Sequence, residues 1–227
     1  MDLSDNFDQA ATDYLCLLEK NYPQKAIIKL IGDRYSLSGV ERTMLYRGLT
    51  TRENVKYRTK TLIKEEQLKG QKIHIDGYNV LITIGSYLNG SIVFLSNDNL
   101  LRDASEVHGK IFRTELINRS IDLILLYLEK KQVKAIYFYF DSPVSKSGRL
   151  ASKINQLLRE KNISGMAQTA HSPDYVLKNM GNGIIATSDS TIIDKANIKI
   201  FDLPRYTICY FFEPNFIDLY QSYSKIS

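Results

Sequence analysis

Residues 72–82, Lys-Ile-His-Ile-Asp-Gly-Tyr-Asn-Val-Leu-Ile, decide the fold class of this chain. Apolar and polar side chains alternate up to Asp76, and an apolar run resumes shortly after Gly77. The pattern predicts a short buried strand over residues 73–76 that ends on a carboxylate and leads into a helix or a loop. In open α/β sheets, ligands bind outside the carboxyl ends of the strands, so we expect Asp76 at such an edge. Asp-Gly is also common in turns for conformational reasons alone, and this alternative stays open.

Strand and helix patterns alternate after this stretch. Alternating units of this length predict a mostly parallel sheet with helices on both faces. The predicted strands are residues 135–141, 164–168, 183–187 and 199–202, and the predicted helices are residues 99–130, 150–161, 173–180 and 190–196. The aromatic tail from Tyr206 is expected to pack across the sheet edge or against the preceding domain.

The first part of the chain has helical rather than strand periodicity. Residues 5–49 contain three amphipathic patterns, and the third opens with a capping box at Ser38 and Glu41. We therefore predict a helical domain over residues 1–50, a charged linker over 51–70 and an α/β domain over 71–227. The linker is either a solvated connector or exposed helix, or a basic path for a phosphate backbone.

Composition limits the functional classes. The chain has 227 residues, a net charge of +5 and a pI near 9.0, which is compatible with nucleic-acid binding but not specific to it. Cys16 and Cys209 match no metal or redox spacing, which favours a reducing cytoplasm, and the three histidines are too scattered for zinc. The N-terminus lacks the pattern of a signal peptide, and no apolar run is long enough to span a bilayer. We expect a soluble cytoplasmic protein without a membrane partner, whose oligomeric state the sequence leaves open.

Carboxylates end three of the predicted strands, at Asp76, Asp141 and Asp189. If the sheet is parallel, the three acids emerge at one edge, where they repel one another unless a cation neutralises them. Mg²⁺ or Mn²⁺ suits such oxygen ligands and, when bound, activates water for phosphodiester hydrolysis. Each acid has a structural alternative as the N-cap of the following helix, which suits Asp189 and Asp141.

Two further acids are candidates for a fourth catalytic carboxylate. Asp103 follows Arg102 and has the alternative of a simple ion pair, and Asp174 follows Pro173, where the first turn of a helix favours an acid anyway.

A loop rich in hydroxyl and cationic side chains follows Asp141. These groups suit a phosphate, with an ordinary loop and helix cap as the alternative. The predicted substrate-binding residues are Ser142, Ser145, Lys146, Ser147 and Arg149 in this loop, together with Asn79 and Ser188. Walker, dinucleotide-binding, nucleophile-elbow and HExxH motifs do not occur.

The stretches Asp76-Gly-Tyr-Asn79-Val, Phe-Asp141 and Thr-Ser-Asp189 resemble the acidic core of PIN-like nucleases, including the NYN branch. This resemblance covers residues 71–203. It implies a PIN-like three-layer α/β/α fold with a mostly parallel sheet of about five strands. It also implies Mg²⁺ or Mn²⁺ held by Asp76, Asp141 and Asp189, with Asn79 as a supporting polar group.

The whole chain also resembles the family of proteins of unknown function numbered 434. The resemblance rests on residues 32–37 and 41–47, and on Asp-Ser-Pro-Val-Ser-Lys-Ser-Gly at residues 141–148. The leading hypothesis is a metal-dependent nuclease acting on RNA. The alternatives are a non-catalytic RNA- or protein-binding module and a small-molecule phosphohydrolase, which would need a closed pocket instead of an open basic groove.

Overall fold

The computed structural model describes residues 3–104 and 114–223. Its helices are α1 Phe7–Glu19, α2 Gln24–Arg34, α3 Gly39–Gly48, α4 Arg52–Thr61, α5 Gly77–Leu88, α6 Thr114–Lys130, α7 Ser147–Glu160, α8 Pro173–Lys178, α9 Ser190–Ile193, α10 Leu203–Phe211 and α11 Leu219–Tyr223, with a turn of 3-10 helix at Glu65–Gln67. Its strands are β1 Lys72–Asp76, β2 Val93–Leu95, β3 Leu101–Asp103, β4 Ala135–Asp141, β5 Gly165–Ala170, β6 Ile184–Ala186, β7 Lys199–Phe201 and β8 Ile217–Asp218.

The described residues divide into two compact units. We call the first the helical unit; it comprises the described parts of Met1–Lys60, Ser86–Ile111 and Asn215–Ser227. We call the second the parallel-sheet unit; it comprises the described parts of Thr61–Gly85 and Phe112–Pro214.

The parallel-sheet unit is built on five strands in the order β5-β4-β1-β6-β7, and every pairing is parallel. Ile73 and Ile75 of β1 are fully buried, as a central strand covered on both faces requires. The continuous apolar run of β4 pairs with β1 over five residues, from Lys72 opposite Ala135 to Asp76 opposite Tyr139. The predicted α/β class, with a PIN-like three-layer arrangement and a parallel sheet behind a helical N-terminal region, is confirmed.

The helical unit is held by the apolar faces of its first helices. Phe7, Tyr14 and Met44 are almost fully buried in its core. The predicted capping box at the start of α3 is present, because the Ser38 side chain accepts from the backbone of Glu41 and the Glu41 side chain accepts from the backbone of Ser38. A small sheet in the order β3-β2-β8 completes this unit.

The prediction of one helix over residues 99–130 is wrong in its first part. Residues 93–103 form an antiparallel hairpin of β2 and β3, in which Asn99 has a φ of 66°. Asparagine tolerates this left-handed conformation, so the Asn-Asp-Asn cluster at residues 97–99 is a turn. Within the described residues the predicted helix is present as α6, Thr114–Lys130, and residues 105–113 of the prediction lie outside the described part of the chain.

In two other segments, the structure gives more detail than the sequence predicts. Most of residues 51–61 form α4, in which Val55 and Arg58 are buried, so this part is packed helix rather than an exposed connector. The aromatic tail contributes α10 to the parallel-sheet unit and β8 to the helical unit, where β8 pairs with β2. In residues 3–104 and 114–223, no helix combines the length and the apolar character needed to cross a membrane.

Candidate active site at the carboxyl edge of the parallel sheet

The strand order places a topological switch point beside β1. The chain passes from β1 to β4 and β5 on one side, then returns to β6 and β7 on the other. Ligand sites of open parallel sheets lie outside the carboxyl ends of the strands where the order reverses. Asp76 at the end of β1 and residues 187–189 after β6 flank this point.

Asp76 is the central group of the candidate site. It is 9% exposed, and its carboxylate accepts a hydrogen bond from the Thr187 hydroxyl at 2.8 Å. The pKa of Asp76 is raised to about 7, mainly by burial and also by the nearby charges of Asp189 and Asp174, while hydrogen bonds from Thr187 and the Asn79 backbone oppose the rise. A proton or a cation is therefore bound more favourably here than at an ordinary aspartate.

Gly77 lets α5 begin directly after this carboxylate. A Cβ atom at Gly77 would overlap the ring of Phe140 on the neighbouring β4. The glycine is thus a packing requirement, and it brings the backbone amide of Asn79 to the Asp76 side chain.

The other acids from the strand ends interact with Asp76 or with one another. The pKa of Asp174, in the first turn of α8, is raised by burial and then by the charges of Asp189 and Asp141. Asp141 ends β4, and Asp189 caps α9 by accepting from the backbone amide of Thr191 at 2.7 Å. The structure therefore gathers Asp76, Asp141, Asp174 and Asp189 into one electrostatically linked group, which we call the acid cluster.

The acid cluster has the donor chemistry for a hard divalent cation, although its side chains are not arranged as a finished metal site. In the described ranges 3–104 and 114–223, no group of three or more His, Cys, Asp or Glu side chains is positioned to hold a metal ion. Charges of neighbouring acids raise the pKa of Asp76 and of Asp174, and a cation bound among these carboxylates would remove that repulsion.

Asn79 and Ser188 hold the two sides of the switch point together. The Asn79 Oδ1 atom accepts from the Ser188 backbone amide at 2.9 Å and from its hydroxyl at 3.1 Å. Ser188 is 3% exposed, so this pair fixes α5 against the loop after β6. The predicted role of both residues in substrate binding stays a prediction.

The hydroxyl-rich loop after β4 lies at the same edge of the sheet. Ser142, Ser145, Lys146 and Arg149 are exposed, and the Ser142 amide is bound by the Ala170 carbonyl at 2.8 Å. Ser147 differs from the others because it is 4% exposed and directs its hydroxyl to the Ser142 carbonyl at 3.5 Å. Four of the five predicted phosphate contacts are thus accessible.

Asp103 has a different environment from the acid cluster. It ends β3 of the helical unit, is 3% exposed, and forms an ion pair with Arg47 at 2.9 Å. Arg102 pairs instead with Asp98, since neighbouring residues of a strand point to opposite faces. The structure thus gives Asp103 a structural partner, whereas Asp174 belongs to the acid cluster.

Three residues beside the predicted set escaped the sequence analysis. Thr187 binds Asp76, while Tyr78 and Lys153 line a cleft of about 460 Å³ next to the hydroxyl-rich loop. Tyr78 stands between two predicted site residues, and Lys153 lies one helical turn beyond Arg149, so spacing alone was a usable signal for both.

Two family models match successive parts of the chain. The sequence model of the family Domain of unknown function (DUF5616) matches residues 65–206. The sequence model of the family Protein of unknown function (DUF434) matches residues 6–60. The chain belongs to the DUF5616 family and carries a DUF434 segment before it. The predicted resemblance to the family numbered 434 is confirmed.

A relative extends this match over most of the chain. An uncharacterized protein of Methanocaldococcus jannaschii, MJ0935, is 34% identical over 194 residues, which cover 86% of this chain and 92% of the relative. No solved structure matches the chain.

Proposed function

We propose that the parallel-sheet unit is a divalent-cation-dependent nuclease that hydrolyses phosphodiester bonds of RNA. The observation that carries the proposal is the buried Asp76 carboxyl at a switch point, whose pKa is raised by burial and by other acids of the cluster. A buried acid surrounded by further acids is costly for folding, and such perturbed groups are concentrated at functional sites. The preference for RNA rests on the resemblance to PIN-like nucleases.

Each group of the site has a distinct role in this proposal. Asp76, Asp141 and Asp189 would hold Mg²⁺ or Mn²⁺, and Asp174 would be the fourth acid. The exposed Lys146 and Arg149 would contact the phosphate, and Asn79 with Ser188 would keep the edge in shape. The bound cation would supply charge neutralisation and an activated water.

A binding module without catalysis is the second candidate. It is favoured by the use of Asp189 as a helix cap and by the absence, among the described residues, of three side chains arranged around a metal position. The proposed partner of the nuclease is nucleic acid, and that of the binding module is RNA or a protein. The free, unpaired Cys16 and Cys209 are consistent with a reducing cytoplasm as the location.

The test is cleavage of a labelled single-stranded RNA with Mn²⁺ or Mg²⁺ present. Asp141→Asn is the informative variant, because Asp141 ends β4 and is only partly buried, so this isosteric change removes its charge without opening the core. We expect at least a hundredfold lower cleavage rate, which corresponds to about 3 kcal/mol of transition-state stabilisation.

The matched control is Glu129→Gln. Glu129 is exposed near the end of α6, shortly before the amino end of β4, and therefore at the opposite edge of the sheet. Its substitution removes the same charge and should leave cleavage unchanged. Metal-dependent cleavage that survives Asp141→Asn would reject the role of Asp141 in the proposed metal site. Absence of cleavage by the wild type with both metals would reject the nuclease and favour the binding module.

A further inference from the structure

A cleft with cationic and aromatic lining lies beside the hydroxyl-rich loop. It measures about 460 Å³, which is within the size range of small-ligand sites. Its lining includes Tyr78, Ile117, Val144, Lys146, Arg149 and Lys153, and none of the lining residues that the structure describes is acidic. It therefore offers apolar surface, an aromatic ring and three positive charges in one place.

The cleft adjoins the acid cluster through Tyr78. This residue is two positions after Asp76, and its pKa is raised by burial and by the charge of Asp141. The edge of one ring meets the face of the other where Tyr78 packs on Phe140, with 5.1 Å between the centroids and 69° between the planes. Phe140 is fully buried in the sheet, so Tyr78 is a supported ring next to the proposed cutting position.

The three positively charged side chains of the cleft come from the first two turns of α7 and from the residue before it. Lys146 precedes α7, and Arg149 and Lys153 follow at a spacing of four, which places both on the same face of the helix. Lys153 also donates to Asn118 of α6, another lining residue, which fixes the amine at the wall of the cleft.

We propose that this cleft binds one nucleotide of a single-stranded nucleic acid, with its base against Tyr78 and its phosphate among Lys146, Arg149 and Lys153. The inference deepens the proposed function, since the nucleotide held here would adjoin the bond to be cut. It also specifies the form of the substrate: a base stacks on a protein ring only when it is unpaired and unstacked from its neighbours. A duplex would offer the cleft its backbone but not a base.

Two contributions to affinity follow from this arrangement. Stacking on Tyr78 depends on the ring and not on its hydroxyl, and is similar for different bases. The phosphate contacts depend on the cations and weaken with salt, because the binding of a strand releases counterions. These contributions can be measured separately.

The experiment is fluorescence anisotropy of a labelled ten-nucleotide RNA with the full chain. EDTA is present throughout, so no cleavage occurs and binding is measured without catalysis. We expect the single strand to bind at least tenfold more tightly than the same sequence as a duplex. Tyr78→Leu should weaken binding at least fivefold, while Tyr78→Phe should retain it.

Arg149→Gln tests the phosphate contacts, and Arg159→Gln is its matched control. Both arginines are exposed residues of α7, but Arg159 lies near its other end, about 15 Å away at 1.5 Å per residue. Arg149→Gln should weaken binding at least threefold and reduce the slope of affinity against salt, and Arg159→Gln should do neither. Circular dichroism establishes that each variant is folded; if Tyr78→Leu is not, the arginine pair and the duplex comparison decide.

Equal binding of duplex and single strand would overturn the inference, as would equal losses for Arg149→Gln and Arg159→Gln. Adenosine monophosphate should displace the labelled RNA only at much higher concentrations than unlabelled RNA does. Displacement at the same concentration would also overturn the inference, because the cleft would then select a free nucleotide. The readout is independent of the nuclease assay. If the protein binds RNA as described but never cleaves it, the cleft proposal stands and the nuclease proposal fails. If it cleaves RNA without these binding differences, the nuclease proposal stands and the cleft proposal fails.

Discussion

Two buried aspartates of this chain, Asp98 and Asp76, have opposite electrostatic environments. Asp98 in the helical unit is 0% exposed, and Asp76 in the parallel-sheet unit is 9% exposed. Burial raises the pKa of both. For Asp98 the opposite charges and hydrogen bonds of Arg102 and Arg58 prevail and lower it to about 2, whereas for Asp76 the pKa is about 7.

The contacts explain this difference. Both guanidinium nitrogens of Arg102 reach the Asp98 carboxylate, at 2.7 and 2.9 Å, and Arg58 reaches it at 2.9 Å. Asp76 accepts hydrogen bonds from the Thr187 hydroxyl and the Asn79 backbone amide. The charges that influence its pKa are those of Asp189 and Asp174. The helical unit thus supplies the cations that its buried acid needs, while the parallel-sheet unit surrounds its buried acid with further acids. The first arrangement stabilises the fold, whereas the second leaves a buried carboxylate without a nearby cation among the described residues, as the proposed function expects.

The largest expected effect that separates these two environments is the loss of the Asp98 charge. Asp98→Asn leaves two buried guanidinium groups without their counter-charge, and breaking a buried ion pair typically costs 3–5 kcal/mol. Because two pairs are broken, we expect the free energy of unfolding to fall by about 5 kcal/mol. Urea denaturation at pH 8, followed by circular dichroism because the chain has no tryptophan, measures it.

Asp76→Asn is the matched variant, with the same substitution at the other buried aspartate. It removes a charge that burial and neighbouring acids disfavour, so at pH 8 it should not lower the free energy of unfolding. Equal destabilisation by the two variants would show that the environments do not differ as described.

The next effect is a pH dependence that belongs to Asp76. Its pKa rises from an ordinary value of 3.8 to about 7 on folding. Between these values the folded protein keeps a proton that the unfolded chain has lost, so stability falls as the pH increases. The difference of about 3 pH units corresponds to about 4 kcal/mol between pH 4 and pH 8. Urea midpoints across this range, in EDTA, should fall for the wild type and stay flatter for Asp76→Asn.

Asp98→Asn serves as the control for this window. Both pKa values of Asp98, the ordinary value of 3.8 and the folded value of about 2, lie below it. The variant should therefore be less stable at every pH with the same slope as the wild type. Parallel curves for the wild type and Asp76→Asn would contradict the assignment of the slope to Asp76.

The smallest expected effect concerns the hydrogen bond that the Thr187 hydroxyl donates to Asp76. Thr187→Val removes this donor, and a hydrogen bond to a charged group contributes about 2 kcal/mol. Thr187 Oγ1 also accepts from the Asp189 amide at 3.0 Å, so the double variant with Asp76→Asn is needed to isolate the Asp76 contact. At pH 8 we expect a coupling energy of about 1 kcal/mol, and Thr187→Ser should stay close to the wild type. A coupling energy of zero would mean that Asp76 does not depend on this hydroxyl.

Local and continuous sequence signals predict the corresponding elements correctly. The run from Ala135 to Asp141 predicts β4 with its observed bounds, because an uninterrupted series of β-branched and aromatic residues suits a strand covered on both faces. The acids at the ends of β1 and β4 were found for the same reason, since each follows its strand directly.

Elements that depend on partners distant in the sequence are not predictable from a local pattern. Strands β2 and β3 have only three residues each, and β2 also pairs with β8, more than a hundred residues later. Arg58 pairs with Asp98, 40 residues later, so the charge-rich sequence of residues 51–70 predicts a linker although Arg58 is buried. The cleft beside Tyr78 likewise arises from α5, α6 and the start of α7 together, and no local pattern describes such a surface.

The helical unit draws on both ends of the chain, because β8 and Tyr223 join it with α1 to α4. During synthesis, its first four helices leave the ribosome about 150 residues before β8 does, which at 5–20 residues per second is a delay of about 8 to 30 seconds. All of the parallel-sheet unit is translated within that interval. The unit that begins first is therefore completed last, and its early helices must keep their apolar faces from other chains until the final strand arrives.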